Sequence, residues 1–468
     1  MRDLGQIIKA YDVRAVYPDQ LDESLARDIG AAFVRVLAES GAAVPAVVVG
    51  HDMRPSGVAL VDAFTEGVTG QGADVVHLGL MSTDALSFAS GWLGLPGAMF
   101  TASHNPARYN GIKLCRAGAV PVGQDSGLAK IRAMIEAGVP AGAGPGGTVS
   151  ARDLLADYAT YLKQLVDLTG IRQLTVAVDA GNGMAGLTAP VVLADLPLTV
   201  LPLYFELDGT FPNHEANPID PANLRDLQAK VRASGADLGL AFDGDADRCF
   251  VVDERGEIVS GSTLTALIAA RELARHPGSA VIHNLITSRA VGEVIREHGG
   301  TPVRTRVGHS FIKDVMAQTD AVFGGEHSGH FYFRDFWRAD SGMLAALHVL
   351  AALGRSPEGT ALSALLAPYD RYVASGEINS DVRDAGERTA AVARAFSPRA
   401  TAVTEGGEAT SVDHLDGLSV HAAHWWFNLR ASNTEPLLRL NVEAVGVPTM
   451  ERVRDAVLAL VRDSPGST

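Results

Sequence analysis

Three aspartates alternate with small residues in the stretch Asp243-Gly244-Asp245-Ala246-Asp247. In an extended loop, alternate side chains point to one side, so the three carboxylates would face the same space. Such carboxylates repel one another unless a cation neutralises them, and their hard oxygens favour Mg²⁺ or Ca²⁺ over softer metals. Strand-like apolar runs at 238–242 and 249–252 flank the stretch, and no glutamate follows where a helix–loop–helix calcium site needs one. The pattern therefore predicts a Mg²⁺ loop between two strands, with a solvated acidic turn as the alternative.

A second polar stretch, residues 101–106, lies between two apolar, strand-like runs. Ser103 could present its hydroxyl to a ligand there, and His104 and Lys113 supply charge nearby. Asn110-Gly111 predicts the turn between the two strands. Alone, the stretch could equally be an ordered turn. A phosphorylated serine would suit the aspartate loop, because its phosphate would complete the coordination of the cation.

Two later loops have residues suited to a sugar phosphate. Glu326 and Ser328 lie between glycines, and a carboxylate and a hydroxyl at this spacing suit vicinal sugar hydroxyls; a structural turn is the alternative. The run 430–436 combines an arginine with Ser, Asn and Thr, a dense set of donors for a phosphate dianion, unless it is only a polar hairpin loop. Arg248, directly after the aspartates, could orient a phosphate, or it could form an ion pair that reduces the repulsion within the acidic cluster.

The composition is that of a globular protein with a sizeable core. The 468 residues suggest about three domains, and the net charge of −15 argues against nucleic acid or an anionic membrane as partner. Two cysteines are too few for a disulfide framework. There is no signal-peptide pattern at the N-terminus and no apolar run of the ~20 residues that a membrane span needs. We therefore expect a cytoplasmic location.

The pattern strand, helix, strand occurs three times, at 46–78, 174–201 and 280–304, and each copy precedes one of the first three polar loops. Such units build sheets covered by helices. From residue 370 on, short strand-like runs lie between two helices. The predicted fold class is α/β, with three repeated mixed-sheet α/β domains plus a smaller α+β C-terminal domain with an antiparallel sheet, arranged around a central cleft.

The predicted domains each contribute one loop to that cleft. The clearest boundary is the Gly- and Pro-rich run 141–147. The predicted divisions are 1–147 with the serine loop, 148–253 with the metal loop, 254–368 with the sugar loop and 369–468 with the phosphate loop.

Four motifs, at 101–106, 243–248, 325–330 and 430–436, resemble those of the α-D-phosphohexomutase superfamily, and most closely its bacterial phosphomannomutase/phosphoglucomutase branch. The motifs occur in the family's order, and the resemblance covers essentially the whole chain. It implies four domains around a deep cleft, a phosphoserine and one bound Mg²⁺.

The resemblance also implies roles for individual residues. Ser103 would be the phosphoserine, and its phosphate would bind Mg²⁺ together with Asp243, Asp245 and Asp247. Glu326 and Ser328 would bind sugar hydroxyls. The implied phosphate-binding residues are Arg430, Ser432, Asn433 and Thr434, with Tyr11 as a further substrate-binding residue. The residues implied near the reacting centre are Arg14, Lys113, Arg248, His309 and His330; the general acid/base stays open among Lys113, His309 and His330.

The implied activity is reversible phosphoryl transfer between the 6- and 1-positions of a hexose phosphate, through phosphoserine and a hexose 1,6-bisphosphate that also serves as activator. Mannose phosphates are the expected substrates and glucose phosphates further ones, since His327 resembles the hexose-specific pattern. The alternatives are a phosphoglucosamine mutase and a catalytically silent sugar-phosphate-binding relative. Ala15 and Leu285 depart from the family pattern at substrate contacts. We expect small sugar phosphates as partners, no nucleic acid, no membrane, and a monomer or weak homo-oligomer.

Overall fold

Four β-sheets follow one another along the chain in the structure, a computed structural model that describes residues 3–39, 41, 44–396, 410–432 and 437–462. The side chains of residues 309 and 310 are not part of this description. Runs of β-branched residues form the central strands, as in Ala46–His51, where three valines lie buried between helices on both faces of the sheet. Among the residues that the structure describes, three short turns of 3-10 or π helix occur, at Gln124–Leu128, Pro221–Leu224 and Arg334–Phe336.

The first sheet is mixed. Its strands are β1 (Val13–Val16), β2 (Ala46–His51), β3 (Asp74–Leu80), β4 (Gly97–Phe100), β5 (Tyr109–Arg116), β6 (Val120–Pro121) and β7 (Val149–Ala151). Strands β3, β2 and β4 pair in parallel, β7 pairs parallel to β3, and β5 runs antiparallel to β1, β4 and β6. The helices are α1 (Leu4–Ile7), α2 (Glu23–Ala38), α3 (Gly57–Gly70), α4 (Thr83–Leu93) and α5 (Ala129–Ala137).

The predicted turn at Asn110-Gly111 is wrong, because both residues lie inside β5. Gly111 pairs with Arg14 of β1, and a Cβ at Gly111 would lie 2.3 Å from the carbonyl oxygen of Val13. The glycine is therefore needed for close strand approach. The turn itself comprises residues 101–108.

The second and third sheets repeat one topology. The second has β8 (Leu174–Asp179), β9 (Leu198–Leu203), β10 (Leu238–Phe242), β11 (Cys249–Asp253) and β12 (Ile258–Val259), with helices α6 (Leu155–Leu165), α7 (Ala185–Val192) and α8 (Arg225–Ser234). The third has β13 (Ala280–Asn284), β14 (Thr301–Thr305), β15 (Phe323–Gly325), β16 (Phe331–Phe333) and β17 (Ala339–Asp340), with helices α9 (Gly261–Arg275), α10 (Arg289–Glu297), α11 (His309–Thr319), α12 (Gly342–Gly354) and α13 (Leu362–Leu366).

In both sheets the first strand lies between the second and the third, all three parallel, and a fourth strand returns antiparallel beside the third. Strands β2 to β5 of the first sheet have the same arrangement. The predicted three repeated mixed-sheet domains are confirmed. The serine, aspartate and sugar loops all occupy one equivalent place, between the third and the fourth strand.

The fourth sheet is antiparallel throughout, in the order β18, β22, β21, β20, β19, as predicted for the α+β C-terminal domain. Its strands are β18 (Val373–Asp381), β19 (Ser411–Asp413), β20 (Leu418–His421), β21 (Trp425–Ala431) and β22 (Leu437–Ala444), and its helices are α14 (Ala385–Ala395) and α15 (Val447–Arg462).

The apolar cores show which sheets form one body. One cluster extends from Phe88 of α4 through Tyr158 of α6 to Phe336, and so joins the first three sheets. The fourth sheet has a cluster of its own. Polar contacts connect it to the third domain, including an ion pair between Arg304 and Asp413.

The predicted domain divisions stay predictions. Two strands lie just beyond them: β7 completes the first sheet after residue 147, and β12 completes the second sheet after residue 253. Within the described ranges, we find no helix that combines the length and the apolar character needed to cross a membrane.

Candidate active site

The aspartate loop leaves β10 as a tight turn rather than the extended segment predicted, since Ala246 has a φ of +60°. The three carboxylates nevertheless converge. Asp243, Asp245 and Asp247 are buried, and one oxygen of each lies within 4.8 Å of the others. A Cβ at Gly244 would lie 2.5 Å from the carbonyl oxygen of Ser103, so this glycine lets the aspartate and serine loops meet.

The serine loop brings its hydroxyl onto the carboxylates. Ser103 has a φ of +50°, is 5% exposed, and donates a hydrogen bond of 2.8 Å from Oγ to Asp243 Oδ2. Arg248 Nη2 lies 3.4 Å from the same hydroxyl. A left-handed conformation is uncommon for a serine and marks a loop that its surroundings hold in place.

Arg54 supplies much of that hold. Its guanidinium is buried against Asp52 and donates to the backbone carbonyls of Ser103, Asn105, Pro106 and Tyr109, at 2.7–2.9 Å. Sequence reasoning missed Arg54. The only signal was its place in a polar segment after β2, which does not show which loop it would reach.

Two cations neutralise the aspartates in part. Lys113 Nζ lies 2.7 Å from both Asp245 Oδ2 and Asp247 Oδ2, and Arg248 Nη2 lies 2.8 Å from Asp243 Oδ2. Burial and the two neighbouring carboxylates raise the pKa of Asp243. Burial opposes the charge of Lys113 and Asp245 as well, but their mutual attraction raises the pKa of Lys113 and lowers that of Asp245. Lys113 is therefore an ammonium in this state.

The donor set fits a divalent cation. Asp245 Oδ1 and Asp247 Oδ1 are buried and have no hydrogen-bond partner among the described residues. A buried carboxylate oxygen without a partner is costly, so two of them in one cluster of carboxylates indicate a ligand that binds oxygen. Thr83 Oγ1 donates to Asp245 Oδ2 at 2.6 Å and so orients the unpartnered oxygen of that carboxylate.

Arg14 and His104 border the same centre. Arg14 donates to Asn105 Oδ1 at 2.8 Å and to Asp12 Oδ2 at 2.5 Å. His104 Nδ1 lies 2.5 Å from Arg248 Nη2. Burial, together with Arg248 and Arg14, lowers the pKa of His104 to about 3, so its imidazole is neutral near pH 7.

The sugar loop joins the aspartate loop through its last residue. His330 forms a backbone bridge with Arg248, and its Nε2 lies 3.9 Å from Asp247 Oδ1. Glu326 is buried and accepts hydrogen bonds from Tyr332 at 3.0 Å and Ser328 at 3.3 Å. The predicted pair of carboxylate and hydroxyl therefore exists as a contact.

His327 points elsewhere. Its Nδ1 lies 3.2 Å from Ser262 Oγ, and its side chain lines a cavity of about 160 Å³ between the third and fourth domains. That cavity also contacts Tyr372 of the interdomain connection and Trp426 of β21. The role of His327 in the choice of sugar stays a prediction.

The phosphate loop follows β21. Arg430 is ion-paired with Glu377 at 2.9 Å, and the backbone N–H of Ser432 donates to Leu437 at 2.9 Å. Asn433 and Thr434 lie outside the described residues. His309 begins α11, and its side chain also lies outside the description.

A cavity of about 210 Å³ lies where the first three loops meet. It is lined by seven of the predicted site residues: Tyr11, Arg14, Ser103, Lys113, Asp247, Arg248 and His330. Lys313 and Asp340, ion-paired at 2.8 Å, complete the wall on the side of the third domain. Sequence reasoning missed this pair. The only signal was that Lys313 follows the predicted site residue His309 by four positions, a spacing that places both on one face of a helix.

The chain matches known proteins over almost its whole length. Profiles of "Phosphoglucomutase/phosphomannomutase, alpha/beta/alpha" domains I, II and III match residues 5–140, 156–256 and 260–372, and the profile of the C-terminal domain matches 377–460. A Xanthomonas campestris protein named "Phosphohexose mutases" is 41% identical over 94% of this chain and 95% of its own length. A Salmonella typhimurium "Phosphomannomutase" is 39% identical over 97% and 98% of the two chains.

A solved structure agrees with the sequence matches. The crystal structure of a phosphoglucomutase/phosphomannomutase family protein from Burkholderia thailandensis superposes with a TM-score of 0.87 at 33% identity, and the match covers 100% of this chain and 99% of that one. The similarity thus includes all four sheets and the loops between them. The chain belongs to the phosphoglucomutase/phosphomannomutase family.

Proposed function

We propose that this protein interconverts hexose 6-phosphates and hexose 1-phosphates by phosphoryl transfer through Ser103. Mannose phosphates are the expected substrates, with glucose phosphates as further ones. The observation that carries the proposal is the 2.8 Å contact between the Ser103 hydroxyl and Asp243, beside two buried carboxylate oxygens without partners among the described residues. The activities named for the relatives support the same reaction.

Phosphoryl transfer depends more on positioning and charge neutralisation than on covalent chemistry by the protein. Arg248 lies beside both Ser103 and Asp243, so its guanidinium is placed to bind a phosphate on the serine. Mg²⁺, held by Asp243, Asp245, Asp247 and the phosphate of Ser103, would neutralise the charge that develops on the phosphoryl group.

The attacking sugar hydroxyl must lose a proton, and Lys113, His309 and His330 are the candidates to receive it. Asp245 and Asp247 raise the pKa of Lys113 and keep it protonated in this state. A protonated amine can donate a proton but cannot accept one, which favours a histidine as the base. His330 lines the cavity together with Ser103.

The remaining residues would bind the rest of the substrate. Glu326 and Ser328 would hold sugar hydroxyls, Tyr11 and Arg14 would contact the substrate near Ser103, and Arg430 would hold the distant phosphate together with Ser432, Asn433 and Thr434. The hexose 1,6-bisphosphate intermediate must turn end for end so that its other phosphate can return to Ser103. The separate core of the fourth domain suits that step, since a shift of this domain would break polar contacts such as that between Arg304 and Asp413 but leave the core shared by the first three domains intact.

The test combines mass and turnover. Purified protein is treated with phosphatase, then with glucose 1,6-bisphosphate, and its intact mass is measured. We expect one phosphate on the wild type, none on Ser103→Ala, and one on the control Ser87→Ala, whose serine lines the same cavity. Turnover is then measured with the 1-phosphates of mannose, glucose and glucosamine. A preference for glucosamine 1-phosphate would make the protein a phosphoglucosamine mutase. The absence of both phosphate uptake and turnover would make it a silent relative.

We further propose sugar phosphates rather than nucleic acid as partners, since the net charge of −15 opposes binding to a polyanion. A cytoplasmic location and a monomeric or weakly associated state stay predictions. Sedimentation velocity of the purified protein tests the last of these directly.

A further inference from the structure

One carboxylate holds the arginine of the phosphate loop. Glu377 accepts from Arg430 Nη2 at 2.9 Å and, through its other oxygen, from Arg439 Nη1 at 3.2 Å. The two arginines pair directly across β21 and β22, where like charges repel. Glu377 therefore binds as a bidentate anion between two guanidinium groups, the geometry that a phosphate would also use.

The backbone places Glu377 at this point by a β-bulge. The register of β18 against β22 shifts by one residue between Ala374 and Glu377, and Gly376 has a φ of +68°. The Ser375 hydroxyl accepts a hydrogen bond of 3.0 Å from the backbone N–H of Val442 and so fixes the bulge. Bulges commonly re-aim a side chain beside a site, and this one directs Glu377 to the arginines.

Exposure allows the pair to exchange. The side chain of Arg430 is 14% exposed and that of Glu377 is 30% exposed, so an incoming anion can reach the contact from solvent. Arg430 Nε is buried and lacks a partner among the described residues. The arginine thus has donor capacity left when Glu377 alone is bound.

We propose that Glu377 is an internal competitor for the substrate's distant phosphate. This inference rests on the proposed function. Glu377 occupies Arg430 and Arg439 while no phosphate is present, and the phosphate must displace it. The displacement weakens phosphate binding, because the apparent affinity falls when the binding-competent state is only partly populated. Weak binding suits an intermediate that must release one phosphate, turn and present the other. Glu377 is a positioning residue that acts through Arg430.

The test removes the charge of Glu377 and keeps its shape. In Glu377→Gln, we expect inorganic phosphate to bind roughly tenfold more tightly in titration calorimetry with dephosphorylated protein, because a nearby negative charge is lost. KM for mannose 1-phosphate is expected to fall, and kcat to fall with it, because the bisphosphate is released more slowly. Glu387→Gln, an exposed glutamate of α14 in the same domain, is the control for the change in total charge.

Two outcomes overturn the inference. Unchanged phosphate affinity in Glu377→Gln would mean that the carboxylate does not compete, and weaker affinity would mean that it only orients the arginine. Glu377→Asp keeps the charge on a shorter side chain, and its affinity for phosphate is expected to lie between those of wild type and Glu377→Gln. If Glu377→Gln does not fold, the phosphate affinity of Glu377→Asp decides in the same way. Turnover by wild-type protein is measured separately, so failure of the mutase proposal is distinguished from failure of this one.

Discussion

Lys113 occupies the aspartates that are proposed to bind Mg²⁺, so its removal is expected to tighten metal binding. Its ammonium lies 2.7 Å from an oxygen of Asp245 and of Asp247. In the described part of the chain, Lys113 and Arg248 are the cations paired most closely with the three aspartates. A divalent cation at these carboxylates would repel the ammonium.

The size of the effect follows from Coulomb's law. At an effective dielectric constant of about 20, a single charge about 4 Å away contributes about 4 kcal/mol per unit charge. Movement of the ammonium to about 8 Å when the metal binds would relieve half of this repulsion. We therefore expect Lys113→Met to tighten binding by about 2 kcal/mol, roughly thirtyfold. The second charge of the metal would increase this effect.

The assay is titration of Mn²⁺ followed by electron paramagnetic resonance, and of Mg²⁺ followed by calorimetry, at pH 8 on dephosphorylated protein. The high pH reduces competition between protons and the metal, because burial and neighbouring carboxylates raise the pKa of Asp243. Lys313→Met is the matched control, since Lys313 lines the same cavity but is paired with Asp340. Equal or weaker metal binding by Lys113→Met would refute the competition, whatever happens to turnover.

Three further predictions concern stability and pH. Arg54→Met leaves the buried Asp52 uncompensated and should cost about 3–5 kcal/mol, seen as a large drop in Tm, which Asp52→Asn in the same protein should partly restore. Burial raises the pKa of Asp84 to about 6, so the native state loses stability as pH rises from about 4 to about 6. Asp84→Asn should remove that loss of about 3 kcal/mol. A plot of Tm against pH that runs parallel to that of the wild type would contradict this. His104, with a pKa lowered to about 3, is neutral from pH 5 upward, so His104→Gln should leave the acid limb of the kcat profile in place.

Much of the fold follows from local patterns in the chain. Apolar residues recur at helical spacing over 25–39 and 449–462, which predicts a helix in each range. The structure has these helices as Glu23–Ala38 and Val447–Arg462, so prediction and structure differ only at the ends. Asp22 explains one of these ends, because its side chain accepts from the backbone N–H of Leu25 and caps the helix. The spacing of the apolar residues was sufficient to predict this helix, and the capping residue determines where the helix begins.

Tertiary contacts decided what local patterns could not. Asn110-Gly111 has the residues of a turn, yet pairing with β1 makes it part of a strand. Arg54 reaches three carbonyls of the serine loop and that of Tyr109 in β5, and Lys313 reaches Asp340, only because the fold brings distant segments together. A single arginine or lysine has no local signature of its partner. The first three loops were predictable because each carries several suitable residues at once, whereas part of the fourth loop lies outside the described residues.

The position of the loops in the sheets explains why the first three meet. Each lies between the third parallel strand and an antiparallel fourth, and the carboxyl ends of parallel strands share one edge of a sheet. Three copies of that edge, joined by one apolar core, bring Ser103, the aspartates and His330 together with little freedom to separate. That rigidity is what keeps three carboxylates buried within 4.8 Å despite their repulsion.

The fourth loop follows a different topology and has its own core, and its arginine is held by an exchangeable partner, Glu377. Phosphoryl transfer requires fixed charges, and the turning of a bisphosphate requires a hold that can be released. In the proposed reaction, the three repeated domains would meet the first requirement and the fourth domain the second.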